Sequence, residues 1–151
     1  GGHIERQRFK AGIGEVIRLD GLANAYVSAT EPFKLKADDQ RERLGTVLNV
    51  LAQAVSDLNT LSAPFLPHGA NRIHQIMGGT GEFVPMPELR EVDDLDGGPG
   101  YPVIMGDYGS TPRWESRPVI AGTPIGPPTP VFTKFDPSVV DEEIARMRGD
   151  G

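Results

Sequence analysis

A chain of 151 residues holds enough material for one sizeable core, or for one domain with a tail. It contains no cysteine, which excludes disulfides, thiolate zinc sites and a thiol nucleophile. Its net charge of −6 excludes a long-range attraction for nucleic acid, so any such contact has to be local.

Proline and charge divide the chain in two. Only Pro32, Pro64 and Pro67 fall within residues 1–79, while the other 11 of the 14 prolines lie between Pro85 and Pro137. The first part can therefore be helical and the second mostly cannot. Through residue 77, nine Lys and Arg face eight Asp and Glu; beyond it the balance is six against 13, an acidic tail. No apolar run approaches the length of a membrane span and no signal-peptide pattern opens the chain, so no membrane partner and a cytoplasmic location are expected. Gly1-Gly2, with His3, reads as a cloning remnant. A helix already running by Ile4 suggests a bundle truncated at its start, cut from something longer.

From Ile4 to about Ala29, Phe9, Ile13, Val16, Ile17, Ala23 and Val27 recur at three- and four-residue steps, which predicts one helix. Gly12, Gly14 and Gly21 inside it suggest a close neighbouring helix. Pro32 cannot continue that helix and biases Glu31 away from helical dihedrals. The corner then carries Phe33, with Lys34 and Lys36 beside it. An aromatic face next to two cations is the minimal equipment for stacking an unpaired base and holding its phosphate. The residues alone favour another reading, in which Phe33 is a hydrophobic plug packed between two helix ends.

Asp38 or Asp39 is the expected cap of a second helix reaching about Ser62. Its stripe is Leu44, Leu48, Leu51, Val55 and Leu58, widened by Val47, Ala54 and Leu61. Pro64 ends it, and Phe65 and Leu66 are expected to turn inward. Pro67 suits the first position of a third, shorter helix with Ala70, Ile73, Ile76 and Met77 buried and Gly78-Gly79 as its stop. The expected architecture is all-α, an antiparallel helical bundle over residues 1–79. Residues 80–151 are expected to form a Pro/Gly-rich extended arm packing on the bundle, ending in a short helix at about 138–148. The arm should lay Phe83-Val84, Tyr101 to Ile104 and Val119-Ile120 into grooves, and Trp114, Tyr101 and Tyr108 favour its being ordered. In the last helix Ser138 and Asp141 form a capping-box-like pair, and the stripe Val140, Ile144 and Met147 should dock on something.

Catalytic chemistry is hard to find. His68 and His74 are six apart, not at the four-residue metal spacing, so no metal is expected. Asp93-Asp94-Leu-Asp96 lacks the ligand ladder of a calcium loop, and Gly97-Gly98-Pro99-Gly100 lacks the Lys and Ser/Thr of a phosphate loop. Both read as turns. No catalytic residue is identified, which points to a binding module.

Leu22-Ala-Asn24-Ala-Tyr26 followed by Glu31-Pro-Phe-Lys-Leu35 resembles the anticodon-binding region of bacterial methionyl-tRNA synthetases. There a helix with an A-N-x-Y pattern leads into a Pro-Trp pair followed by lysines. The likeness continues through Leu58-Asn-Thr-Leu-Ser-Ala-Pro-Phe-Leu-Pro67, Ile76-Met-Gly-Gly79 and Pro130-Val-Phe-Thr-Lys-Phe-Asp136. The resemblance implies an anticodon-binding bundle of the class I synthetase type, part of a methionine–tRNA ligase whose catalytic Rossmann domain lies outside these residues. Neither the H-I-G-H nor the K-M-S-K-S signature occurs here. The fragment alone is expected to be inactive and without a cofactor, since ATP and methionine would bind that catalytic domain. The implied partners are the tRNA(Met) anticodon loop and the catalytic domain of the same chain. Phe33 occupies the position of the family's stacking tryptophan, keeping a stacking face with less area and no indole N–H, and Pro32 matches the family's proline. Lys34 and Lys36 would hold backbone phosphate. Two further readings stay open: the anticodon domain of another class I synthetase, and a helical protein-interaction module that uses the Val140, Ile144 and Met147 stripe.

Overall fold

The structure, a computed structural model, describes residues 1–106 and 114–149; Tyr108 lies outside them. The protein is mostly helical, with α1 at Gly2–Glu5, α2 at Phe9–Thr30, α3 at Arg41–Ser62, α4 at Pro67–Ile76 and α5 at Ser138–Arg148. It is not all-α. Strands β1 (Glu88–Val92) and β2 (Tyr101–Met105) pair antiparallel, with Leu89 opposite Ile104 and Glu91 opposite Pro102. A two-stranded ribbon leaves each strand an open edge, which is where a proline without an amide hydrogen is tolerated.

The helix expected from Ile4 is broken. Gln7 adopts a left-handed φ of 57°, and α2 starts only at Phe9. Of the glycines of α2 only Gly12 has a close neighbour, and part of it is helix α1, whose His3 and Ile4 lie 3.7 and 3.8 Å from where its side chain would be. A side chain at Gly12 would press on the Phe65 ring at 3.1 Å, while Gly14 and Gly21 face open space. Phe65 thus turns inward as expected, but Leu66 is exposed. At the far end Glu31 takes a left-handed conformation, which ends α2 and leaves the right-handed helical region that Pro32 disfavours, although it is not the extended conformation usual before proline. A 3-10 turn, Pro32–Lys34, follows. A second 3-10 turn, Asp38–Gln40, leads into α3. Neither Asp38 nor Asp39 caps it with a side chain; the Gln40 amide oxygen instead accepts the Ala37 N–H at 3.4 Å.

Helix α3 packs against both α2 and α4. The buried line is Val47, Asn59, Thr60 and Ala63, joined from α4 by Gly69 and Ala70. The predicted leucine stripe is rotated from this line: Leu48 is 51% exposed and Val55 is also exposed, while Leu51 and Leu58 are half-buried. Helix α4 begins with Pro67 at its first turn and stops at Gly78, whose φ of 86° suits glycine alone and whose open side abuts the Pro124 carbonyl.

Chain from beyond α4 returns to α3 and α4 through side chains that bond to backbone. The Asn71 amide accepts the Phe83 and Val84 N–H groups at 2.6 and 3.1 Å and donates to the Val84 carbonyl at 3.0 Å. Gln53 donates to the Arg117 carbonyl and accepts the Val119 N–H, both at 3.0 Å. Ser116 donates to Asp57 at 2.7 Å, and the Trp114 indole donates to the Thr60 carbonyl at 2.8 Å. Further on, the Gly126 N–H reaches the Ile76 carbonyl, and the Phe132 ring lies on Gly69. An irregular segment must place its amides somewhere, and these bonds place them. Tyr101, Ile104 and Ile120, expected in grooves, are exposed.

The α5 stripe does not dock among the described residues: Val140 is 62% and Met147 84% exposed. Nor does Ser138 form a capping box with Asp141. The Asp136 carboxylate, two residues earlier, accepts the Ser138 N–H at 2.9 Å instead. That backbone bond, reinforced by the Ser138 hydroxyl, holds the Asp136 carboxyl below its ordinary pKa of 3.8.

Candidate nucleic-acid interface

The turn between α2 and α3 brings Pro32, Phe33, Lys34 and Lys36 onto one corner. Pro32 is half-buried and fixes the turn, and Phe33 is 62% exposed. The plug reading of Phe33 is therefore wrong. Leu35, two residues later, is the half-buried apolar residue of the turn. With Pro32 setting φ and the Lys34 N–H bonded to the Glu31 carbonyl at 2.8 Å, the aromatic ring rides on a turn with little backbone freedom. An exposed aromatic on a stiff turn offers a face for stacking at a small ordering cost.

The two lysines differ. Lys34 pairs with the Glu31 carboxylate at 2.6 Å. Both side chains are largely in water, so the pair is worth about 1 kcal/mol at most and a phosphate can compete for it. Lys36 is exposed and takes part in no ion pair among the described residues. It lines an open cleft of about 550 Å³ between the Leu35–Asp38 segment and the first two turns of α3. Arg41 lines the same cleft and was not foreseen; nothing in its spacing distinguishes it from a solvated charge at a helix start. The Glu31–Lys34 pair was not foreseen either, although its three-residue spacing lets the two side chains meet.

Elsewhere the chemistry is structural. His74 packs over Gly79, its ring 5.2 Å from that of Phe83, and Arg117 lies 5.5 Å from the other aromatic centre of that stack, the Phe83 ring. Asp94 accepts the Asp96 N–H at 3.1 Å within the turn joining β1 to β2. Among the described residues no three His, Asp or Glu side chains converge to hold a metal ion, and no helix is long and apolar enough to cross a membrane.

Comparison with known proteins places this corner in context. Over 144 residues, 95% of its length, the chain is 56% identical to a methionine–tRNA ligase of Nocardioides sp.. It is 55% identical over 146 residues to that of Salinispora arenicola, and 48% identical over 152 residues to that of Thermobifida fusca. The chain spans about a quarter of the length of these relatives, 24% for the first two and 25% for the third. No family model matches the chain. No solved structure matches it either.

Proposed function

From the premise that 95% of this chain is similar to a quarter-length stretch of methionine–tRNA ligases, we propose that it is the part of such a ligase that reads the tRNA(Met) anticodon. Phe33 stacks on an anticodon base, Pro32 holds the turn, and Lys36 and Lys34 meet the backbone phosphates. The observation that carries this reading is the exposure of Phe33 on a proline-fixed turn between two 22-residue helices. A large aromatic left in water at a rigid position does nothing for the core. It does provide a sequence-tolerant stacking face, worth about 1–3 kcal/mol per base.

Ligation of methionine to tRNA then belongs to the whole enzyme, whose catalytic domain is the second partner and the place where ATP and methionine bind. The test is Phe33→Ala in a full-length ligase carrying this segment. The KM for tRNA should rise about tenfold or more, in line with the stacking energy, while ATP-dependent activation of methionine is unchanged. Equal aminoacylation by parent and variant would defeat the assignment.

A second reading, a helical protein-interaction module, is favoured by the uncovered stripe on α5. Its signature is a self-associated or partner-bound species, lost on Met147→Asp, from a chain that shows no affinity for tRNA. The relatives favour the first reading, and favour methionine over another class I synthetase.

A further inference from the structure

The cleft beside the Phe33 turn has walls of two kinds. Leu35, Leu44 and Leu48 form an apolar side, and Lys36 and Arg41 supply two cations against the single carboxylate of Asp38. Neither cation is in an ion pair among the described residues. The lining is thus locally positive in a chain whose net charge is −6. Its volume of about 550 Å³ lies within the roughly 300–1,000 Å³ of ordinary ligand sites. Gly45 also lines it, and a side chain added there would meet nothing within 4 Å.

Leu48 is half out in solvent, more exposed than the other two open apolar residues of α3, Val50 and Val55. Apolar wall and unpaired cations together match a nucleotide, whose base and ribose take the first and whose phosphate takes the second. Lys36 belongs both to the cleft and to the Phe33 corner, so the two surfaces are continuous. Lys34, held by Glu31, is the less available of the corner's cations.

We propose that this cleft seats the nucleotide next to the base stacked on Phe33, with Arg41 and Lys36 at its phosphate and Leu44 and Leu48 against its sugar and base. This rests on the RNA-reading role proposed above and adds Arg41 and the cleft wall at Gly45 to it. Arg41 acts as a phosphate contact and so contributes affinity without base preference.

The experiment titrates this chain with an anticodon stem-loop carrying CAU, and with the same loop altered at one anticodon base, over a series of salt concentrations. Parent, Phe33→Ala, Arg41→Gln and Gly45→Gln are compared. Arg41→Gln should weaken both loops alike, by roughly 3- to 10-fold, and flatten the slope of log K against log salt by about 0.7. Gly45→Gln replaces a helical glycine by a better helix former, so it should fold at least as stably as the parent. By filling the cleft it should nevertheless weaken RNA binding. Parent-like binding by both cleft variants, with Phe33→Ala weakened, would overturn the cleft and leave the Phe33 reading standing. Weakening by the cleft variants alone would remove Phe33 and with it the placement of a neighbouring nucleotide. A parent chain that binds neither loop would overturn the proposal.

Discussion

Along one face of α3, Gln53, Asp57 and Thr60 meet the segment 114–119, and each is bonded to it. Near the other end of the same helix, Leu48, Arg41 and the adjoining Phe33 and Lys36 are left to water. The pattern is the reverse of a naive expectation, with polar side chains covered and apolar ones open. A stripe tied to returning chain, Gln53 to the Arg117 carbonyl and Val119 N–H, Asp57 to the Ser116 hydroxyl and the Thr60 carbonyl to the Trp114 indole, is a fastening, and removing it should cost stability. An uncovered aromatic and two cations that are unpaired among the described residues contribute little to folding, so removing them should cost binding instead.

Several substitutions can break the contrast. Asn71→Ala removes three bonds that hold Phe83 and Val84 to α4. Half-buried and serving two amides and a carbonyl, it should destabilise the chain by about 2–3 kcal/mol in chemical denaturation. Gln53→Ala should cost about 1–2 kcal/mol. Because Trp114 is the only tryptophan, its emission should shift to the red as its segment loosens from α3. A smaller effect is expected at Asp136. Its carboxyl is held below 3.8, so its support of the α5 start is complete above that value and disappears as the pH falls through the lowered one. Carbon-detected titration of the carboxyl should find its midpoint below 3.8, and Asp136→Asn should abolish the step. Smallest of all, Phe33→Ala and Arg41→Gln should each shift stability by no more than about 0.5 kcal/mol. A loss of 2 kcal/mol or more at either residue would make the open end structural after all.

Much of the helical frame could be read from the sequence because its signals are local. Pro32, Pro64 and Pro67 punctuate the helices, and Gly78 stops α4. The break at Gln7 has no such marker, since neither proline nor glycine accompanies it. Pro102 argued against a strand, and only the open edge of a two-stranded ribbon admits it. The fastening of residues 114–119 was out of reach for another reason. Gln53, Asp57 and Thr60 lie at four- and three-residue steps, which reads as a solvated helix face, and their partners are more than 50 residues away. The leucine stripe was found but its orientation was not, because periodicity gives a face and not which neighbour covers it. At the candidate site, the turn and its residues were visible, whereas the exposure of Phe33 was not, because sequence does not say which apolar residue of a turn is covered. Arg41 becomes distinct only once α3 and the preceding turn enclose a cleft.

The central claim is that anticodon reading resides in the corner around Phe33, and one titration addresses it most directly. The chain is mixed at low, stated salt with a CAU anticodon stem-loop and with the same loop changed at a single anticodon base. Binding that weakens when the base changes, and that loses this preference in Phe33→Ala, is the predicted result. Equal binding of both loops by parent and variant, or binding of neither, would contradict it.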